Sequence, residues 1–260
     1  MDTNNNNIIK NNDKEVSDIP QLTTHDSRLT ELIELGGNNP FMLDDPSHAW
    51  IVRENRVNIY SVYLKDNEII GTRNYICTIE KDGVFFGFQP VEDFGILAVG
   101  ETGTKVLKIN INDCKKDLLA AYVDIWMETL SKGIVYLKQV QKKFKLLVPD
   151  EEIEVKKGEN ILSFDRVLWG KNLKGSFSMR GFQDLPYVKA EQFFPVTKNI
   201  WWQAEEDSIL KTFTTENKVL EDRELKFLQK FHSNVIEFLK IRLVEKKIDE
   251  REELEKKEAS

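Results

Sequence analysis

The stretch Gly83–Ile111, GVFFGFQPVEDFGILAVGETGTKVLKINI, carries the strongest fold signal in the chain. Two apolar runs, Ile96–Val99 and Val106–Ile111, flank the turn-like residues Gly100–Gly103. Apolar runs joined by a short glycine-containing turn predict a β-hairpin. The aromatic pair Phe85–Phe86 and a glycine-containing loop precede this hairpin.

Strand signals continue toward the N-terminus. Ala49–Val52 is apolar, Arg56–Leu64 alternates with apolar residues on both faces, and Tyr75–Ile79 is a further short apolar run. Polar turns such as Lys65–Glu68 separate these runs. Many short strands with polar turns between them favour a sandwich or a roll over an α/β fold.

The N-terminal segment differs from these strands. Residues 1–26 are polar and asparagine-rich without periodicity, which predicts a disordered arm. A helix cap at Asp26 or Ser27 and a stop at Gly36–Pro40 then predict a short helix between them. Its apolar side would consist of Leu29, Leu32, Ile33 and Leu35.

The periodicity becomes helical after Asn112 or Asp113, either of which can cap a helix. Apolar residues recur at helical spacing through about Gln141, and Gly133 weakens this helix only slightly. We interpret the stripe as packing against a β-domain, with a surface for a partner helix as the alternative. The stripe consists of Leu119, Tyr122, Val123, Trp126, Leu130, Ile134 and Leu137.

A second strand-rich block follows, and part of it repeats the first. Asn199–Thr214 echoes Phe94–Ile109, because each has an apolar strand, an acidic turn and another strand. The aromatic pairs Phe193–Phe194 and Phe85–Phe86 precede the two copies. This pattern predicts a weak internal repeat of a β-roll in a smaller block.

The last part of the chain predicts a long helix with two different halves. Its first half has one wide apolar face, whereas the sequence after Val244 is almost wholly charged. The face consists of Phe227, Leu228, Phe231, Val235, Phe238 and Leu239.

The composition excludes several classes of function. With 44 acidic against 37 basic residues, the net charge of −7 argues against nucleic acid or an anionic membrane surface as the main partner. No apolar run is long enough for a membrane helix, and the N-terminus lacks a secretion signal. Cys77 and Cys114 are expected to be free, half-buried thiols in a reducing cytoplasm, with a disulfide between them as the alternative.

The sequence offers no catalytic or metal-binding pattern. His25, His48 and His232 are too far apart for a metal site, and we expect no cofactor. We interpret His48 as a solvent-facing turn residue and His232 as a residue at the edge of a packing face. Gly100–Lys105 superficially resembles a phosphate loop, but its spacing is wrong and it joins two strands. We therefore expect a protein that is not an enzyme.

Several motifs resemble one bacterial transporter family. They are Gly37–Pro46 (GNNPFMLDDP), Ala49–Val52, Val57–Tyr60, Gly83–Gly87 and Gly95–Gly100. This pattern resembles the N-terminal accessory region of the ATP-binding/permease subunits that export peptides in bacteriocin systems with nitrile-hydratase-like leaders. The resemblance runs from about Leu32 to His232 and lacks the family's membrane block and ATPase. It implies a cyclic-nucleotide-binding-like β-roll in a separated or truncated accessory subunit.

The resemblance also locates a degenerate pocket. Nucleotide-binding members resemble Phe-Gly-Glu followed by an arginine, in which the glutamate holds the ribose and the arginine pairs with the phosphate. Here Phe86 and Gly87 match, Phe88 replaces the glutamate, and no arginine lies between Arg73 and Arg166. Phe86, Gly87 and Gln89 are the remaining candidate residues. We expect cyclic nucleotide binding to be lost.

These observations predict a mainly β protein with a β-roll, a connecting helix, a second smaller β-rich block and a long C-terminal helix. Its expected function is that of a cytoplasmic accessory module at the inner membrane face. The expected partners are an ABC exporter's membrane/ATPase subunit and the leader peptide. A diverged ligand sensor and an oligomerising scaffold are the alternatives, and the oligomeric state stays open. The expected divisions are an arm at 1–26, the roll at 27–113, the helix at 114–147, the second block at 148–216 and the last helix at 217–260.

Overall fold

The structure is a computed structural model that describes residues 30–36, 39–134, 143–180, 188–222 and 224–258. Within these ranges the chain is mainly β, with sixteen strands and three α-helices. The first eight strands are β1 (Thr30–Leu35), β2 (Phe41–Met42), β3 (His48–Glu54), β4 (Val57–Lys65), β5 (Glu68–Ile79), β6 (Val84–Phe86), β7 (Phe94–Gly100) and β8 (Thr104–Asn110). The other eight are β9 (Phe144–Leu146), β10 (Glu152–Val155), β11 (Asn160–Leu162), β12 (Leu168–Lys174), β13 (Phe177–Arg180), β14 (Phe193–Val196), β15 (Trp201–Ala204) and β16 (Ser208–Thr214). The helices are α1 (Lys116–Ile134), α2 (Thr215–Glu221) and α3 (Lys226–Glu258).

Strands β1 to β8 form a β-roll, which we term roll 1. Its two four-stranded sheets have the orders β1-β8-β3-β6 and β2-β7-β4-β5. This is the connectivity of an eight-stranded jelly roll, in which a long folded hairpin wraps into two facing sheets. The predicted hairpin supplies β7 to one sheet and β8 to the other. It therefore forms a corner of the roll rather than one flat ribbon.

The second block repeats this connectivity, and we term it roll 2. Its sheets have the orders β10-β16-β12-β14 and β13-β15-β11-β9. Strands β10 to β13 take the positions of β1 to β4, and strands β14 to β16 take the positions of β6 to β8. In place of β5, roll 2 has a single bridge between Val188 and Phe177. Strand β9 is an addition that pairs in parallel with β11.

The internal repeat predicted from the sequence is confirmed by these positions. The stretch Phe94–Ile109 contains β7 and β8, and Asn199–Thr214 contains their counterparts β15 and β16. The aromatic pairs lie in the equivalent strands β6 and β14. Roll 2 is smaller because its strands are short, but it contains a counterpart of every roll 1 strand except β5.

The short helix predicted before Gly36 is wrong, because Thr30–Leu35 is strand β1. It pairs antiparallel with β8 from Thr30 opposite Ile109 to Leu35 opposite Thr104. Leu35 is buried, whereas Leu32 is 60% exposed. Pairing with a distant strand has overridden the local helical pattern.

Helix α1 confirms the predicted amphipathic helix as far as Ile134. Its six predicted apolar residues in this range are all buried. Leu137 and Gln141 lie outside the described residues. The C-terminal part of the predicted 114–147 helix is corrected, because Phe144–Leu146 forms β9 through pairing with β11.

Gly133 has a packing role in α1 that its helix propensity does not show. A Cβ atom there would lie 2.6 Å from both the Cys77 Cβ and the Ile76 carbonyl oxygen. The glycine therefore allows the last turn of α1 to approach β5 closely.

The predicted 217–260 helix is divided into α2 and α3, with Leu225 in a left-handed conformation (φ 54°) before α3. The predicted apolar face of α3 is buried except for the partly buried Leu239. Neither Cys77 nor Cys114 forms a disulfide with a described residue, although Cys77 is buried rather than half-buried. None of the helices in the described ranges has the length and apolar character needed to cross a bilayer.

Candidate functional site

The loop that the sequence identifies as a degenerate pocket joins β6 to β7 in roll 1. Phe86 lies inside the sheet opposite Ala49 and is fully buried. Gly87 follows, and its N–H donates to the His48 carbonyl at 3.1 Å. A Cβ on Gly87 would lie 1.9 Å from the Asp45 carbonyl oxygen. Only glycine therefore fits where these two backbone segments meet.

Phe88 occupies the position where the resemblance places a glutamate, and its side chain is 2% exposed. Its ring stacks on the His232 ring of α3 with a centroid distance of 4.1 Å. Phe88 also makes an edge-to-face contact with Trp126 of α1, and the two ring centroids are 6.4 Å apart. The space beside the loop is thus filled by an aromatic contact between the roll and two helices.

His232 is completely buried, which corrects its predicted place at a packing edge. The Trp126 indole N–H donates to His232 Nε2 at 2.8 Å, so Nε2 carries no proton. Burial lowers the pKa of His232 to about 3, although the nearby Gly87 carbonyl acts in the opposite direction. The ring is therefore neutral, and its proton lies on Nδ1.

Gln229 lies one turn before His232 on α3 and connects the helix to the loop. Its Nε2 donates to the Gly87 carbonyl at 3.2 Å. Gln229 Oε1 and His232 Nδ1 are both buried and lack a hydrogen-bond partner in the described part of the chain. Each of these two atoms suits a buried water or a small polar group as its partner, although the Gly87 carbonyl lies near enough to His232 to raise its pKa.

The three candidate residues do not line a common pocket. Phe86 and Gly87 are buried side by side, whereas Gln89 is exposed to solvent. At the end of the loop, Lys240 Nζ donates to Asp93 Oδ1 at 2.7 Å. This bond lowers the pKa of the Asp93 carboxyl. Helix α3 therefore contacts the loop at Gly87, Phe88 and Asp93.

The loop between β6 and β7 in roll 1 and its counterpart between β14 and β15 in roll 2 contain no helix. The roll 1 loop, residues 87–93, is irregular apart from an isolated bridge at Val91. The roll 2 loop spans only Thr197–Ile200, where Thr197 Oγ1 accepts the backbone N–H groups of Asn199 and Ile200. A helix N-terminus, which commonly holds a phosphate, is therefore absent from both described loops.

Asp45, Ser47 and His48 bring together the residue types of a hydrolase triad, but in the wrong geometry. Ser47 Oγ and Asp45 Oδ2 both approach His48 Nδ1, at 3.0 and 2.5 Å. A triad requires the serine on one ring nitrogen and the carboxylate on the other. Burial favours a higher pKa for Asp45, but the hydrogen bonds from Ser47 and His48 outweigh it and lower the pKa. The His48 side chain is 21% exposed, so it is half-buried rather than solvent-facing.

A second buried polar cluster connects α1 to roll 2. The Trp169 indole N–H donates to Thr215 Oγ1 at 3.1 Å, and the Thr215 hydroxyl donates to Asp124 Oδ1. Burial raises the pKa of the Asp124 carboxyl to about 7. The nearby Glu128 carboxylate also raises this pKa, whereas the hydrogen bond from Thr215 lowers it. The carboxyl therefore titrates near neutral pH within a helix contact.

Sequence reasoning missed the roles of Trp126, Gln229, His232 and Asp124. The sequence signal that could have revealed two of these roles is the presence of two polar residues, Gln229 and His232, one helical turn apart on an otherwise apolar helix face. Within the described ranges, no three His, Cys, Asp or Glu side chains are grouped closely enough to hold a metal ion.

No family model matches the chain, and no curated protein has significant sequence similarity to it. The structure is similar to cAMP-bound PfPKA-R at 10% identity and a TM-score of 0.29, covering 81% of this chain and 79% of that chain. A cAMP-independent protein kinase A regulatory subunit from Trypanosoma brucei, a mutant bound to cAMP, aligns at 7% identity and a TM-score of 0.30, covering 83% and 85%. The CO-dependent transcription factor CooA from Carboxydothermus hydrogenoformans aligns at 19% identity and a TM-score of 0.30, covering 36% and 47%. We assign the roll architecture from the strand connectivity of this chain itself.

Proposed function

We propose that this chain is a non-catalytic accessory module that regulates or positions the membrane and ATPase part of a bacteriocin peptide exporter. The exporter assignment rests on the sequence resemblance carried by Gly37–Pro46 and the motifs that follow it. Much of this run lies at or beside the Gly87 loop, because Leu43 accepts the Phe88 N–H and Asp45 contacts Gly87.

The observation that carries the regulatory role is the contact of α3 with the loop of roll 1. Gln229 bonds to the Gly87 carbonyl, His232 stacks on Phe88, and Lys240 pairs with Asp93. The chain's own helix therefore covers this loop. A partner that binds α3 would change these contacts, so that the helix and the loop respond together.

Co-purification tests the exporter assignment. The tagged chain should retain an ATP-binding/permease subunit of a peptide exporter, or a leader-bearing substrate peptide, from detergent-solubilised membranes. A variant with Lys240→Glu, which breaks the bond to Asp93, should retain less of the partner than the matched variant Lys230→Glu. Recovery of neither the exporter nor the leader peptide would exclude this function.

A diverged ligand sensor is the second candidate. It is favoured by the unpaired Gln229 Oε1 and His232 Nδ1, because these atoms offer one acceptor and one donor beside the Gly87 loop. Titration calorimetry with cyclic AMP and cyclic GMP at near-physiological salt tests it. Micromolar binding would support a sensor, and the absence of heat at high concentration would remove these nucleotides as ligands.

A further inference from the structure

Three strongly exposed apolar side chains lie together on the outer face of roll 2. Phe164 is 73% exposed, Leu146 is 61% exposed and Val148 is 47% exposed. The parallel pairing of β9 with β11 places Leu146 beside Leu162. The Leu147 N–H continues this pairing by donating to the Leu162 carbonyl. Val148 follows Leu146 by two residues and Phe164 follows Leu162 by two residues, so all four side chains point to the same face.

Burial along the two segments confirms that these side chains share the outer face. Leu147 is 5% exposed and Ser163 is completely buried, and each lies between two residues that point outward. The outer patch, as we term it, consists of Leu146, Val148, Leu162 and Phe164. It exposes roughly 350 Å² of apolar surface, a size at which such patches often mark a contact with another molecule.

Roll 2 owes much of the outer patch to a strand that has no counterpart in roll 1. Strand β9 supplies Leu146, leads directly into Val148 and lies at the end of the sheet order β13-β15-β11-β9. Exposed positions at the edge of a sheet normally carry charged or other polar residues. The leucine and valine at this edge therefore indicate a surface that another molecule covers.

The charges around the outer patch favour a second copy of this chain as that molecule. The chain has a net charge of −7, so two copies repel each other, and an uncharged surface is where they can meet. Lys145 is exposed beside Leu146, and the Asp165 side chain is 68% exposed beside Phe164. One corner of the patch is thus basic and the opposite corner is acidic. In a two-fold contact the same surface meets itself, so each lysine can meet the aspartate of the other copy.

Both corner charges are available for this contact. The Lys145 ammonium donates to the backbone carbonyl of Glu154 and forms no ion pair with a carboxylate in the described ranges. Asp165 Oδ2 is 3.7 Å from Arg166 Nη2, which is too long for a hydrogen bond. A carboxylate or an ammonium group from a second copy therefore does not have to displace a strong ion pair.

We propose that the outer patch is the contact surface of a two-fold homodimer, in which the two patches pack face to face and Lys145 of each copy lies near Asp165 of the other. The two patches together are smaller than the interface of a permanent dimer, so the dimer should dissociate at micromolar concentrations. This inference goes beyond the accessory role proposed above and does not require an exporter.

Analytical ultracentrifugation of the purified full chain tests the dimer. The mass should rise from the 30.3 kDa of one chain toward twice that value between about 1 µM and about 1 mM protein. Phe164→Ser and Leu146→Ser should each weaken the dimer at least about tenfold, because each removes a side chain that the contact buries. Leu32→Ser is the matched control, since Leu32 is 60% exposed on β1 of roll 1, and it should leave the dimer unchanged.

Charge exchange tests the two-fold arrangement. Lys145→Glu should weaken the dimer about three- to tenfold, because it places two acidic residues together at each corner. The double variant Lys145→Glu/Asp165→Lys restores opposite charges and should recover most of the loss. A monomer at the highest concentration, equal effects of Phe164→Ser and Leu32→Ser, or a double variant as weak as Lys145→Glu would each overturn the proposal. The sample contains only this chain, so failure to co-purify an exporter would leave the result unaffected.

Discussion

Trp126 donates its indole N–H to His232 Nε2 at 2.8 Å, and this buried bond joins helices through residues that are 106 positions apart in the chain. It fixes the protonation of the histidine and orients the ring that stacks on Phe88. The contact between α3 and roll 1 therefore depends on a polar pair inside an apolar interface.

Replacing His232 by phenylalanine should lower the free energy of unfolding by about 1 to 3 kcal/mol, because the buried Trp126 N–H loses its acceptor. Urea unfolding measures this change. The double variant Trp126→Phe/His232→Phe removes the donor as well and should recover part of the loss. A double variant that loses the sum of both single effects would show that the hydrogen bond is not the cause.

His232 should also make the protein sensitive to acid. Its pKa falls from 6.5 to about 3 in the folded state. The stabilising contribution is therefore complete above about pH 6.5 and is lost as the pH falls toward 3, because only the unfolded chain readily accepts the proton. The loss at pH 5 is about 2 kcal/mol. In urea unfolding at pH 7 and pH 5, His232→Phe should lose less stability than the natural chain, and equal losses would contradict this.

Asp124 should make the protein less stable as the pH rises, which is opposite to the effect of His232. Its pKa rises from 3.8 to about 7 in the folded state. Its contribution is complete below about pH 3.8 and is lost as the pH rises to 7, with a maximum change of about 4 kcal/mol. Asp124→Asn keeps an acceptor for the Thr215 hydroxyl and removes this contribution, so in thermal unfolding the stability of the variant should rise more steeply from pH 4 to pH 7 than that of the natural chain. Asp117→Asn, an exposed change on the same helix, should keep the pH dependence of the natural chain.

Gly87→Ala should be strongly destabilising, by about 3 kcal/mol or more, because the added methyl group meets the Asp45 carbonyl at 1.9 Å. Gly36→Ala is the control, since no atom lies within 4 Å of the position that its methyl group would take and its backbone is not left-handed. Differential scanning calorimetry compares the two variants. Equal melting temperatures would mean that the loop moves freely away from Asp45.

Phe88→Glu restores the residue type that the resemblance expects, but it should not restore nucleotide binding. The new carboxylate would lie against the neutral His232 ring, and its burial should cost several kcal/mol. Calorimetry with cyclic AMP should therefore show no heat, and the variant should unfold at lower urea concentration. Binding that appears only in this variant would show that the pocket is open.

Local alternation and helical spacing predicted a sandwich or a roll, the amphipathic α1 helix and the internal repeat, whereas the choice of a roll came from the resemblance. The local pattern failed for β1 and β9, whose strand conformation depends on distant partners, β8 and β11. Short segments of this kind carry too little local pattern to decide between helix and strand.

The site was predictable only in part. The phenylalanine in place of a glutamate was visible at Phe88, and its consequence for nucleotide binding stays a prediction. The pairing of His232 with Trp126 was not visible, because a lone histidine on an apolar helix face does not reveal a donor 106 residues away. Gln229 was missed for the same reason, since it meets Gly87 across 142 residues.

The jelly-roll connectivity also sets an order of assembly during synthesis. Roll 1 closes when β1 pairs with β8, so all of its strands are available once Asn110 has left the ribosome. The contacts of Gln229 and His232 with roll 1 must wait until α3 has been made. While the ribosome translates roll 2, the Phe88 ring of roll 1 is therefore not yet covered by α3. During this time an apolar surface is open to chaperones or to premature association.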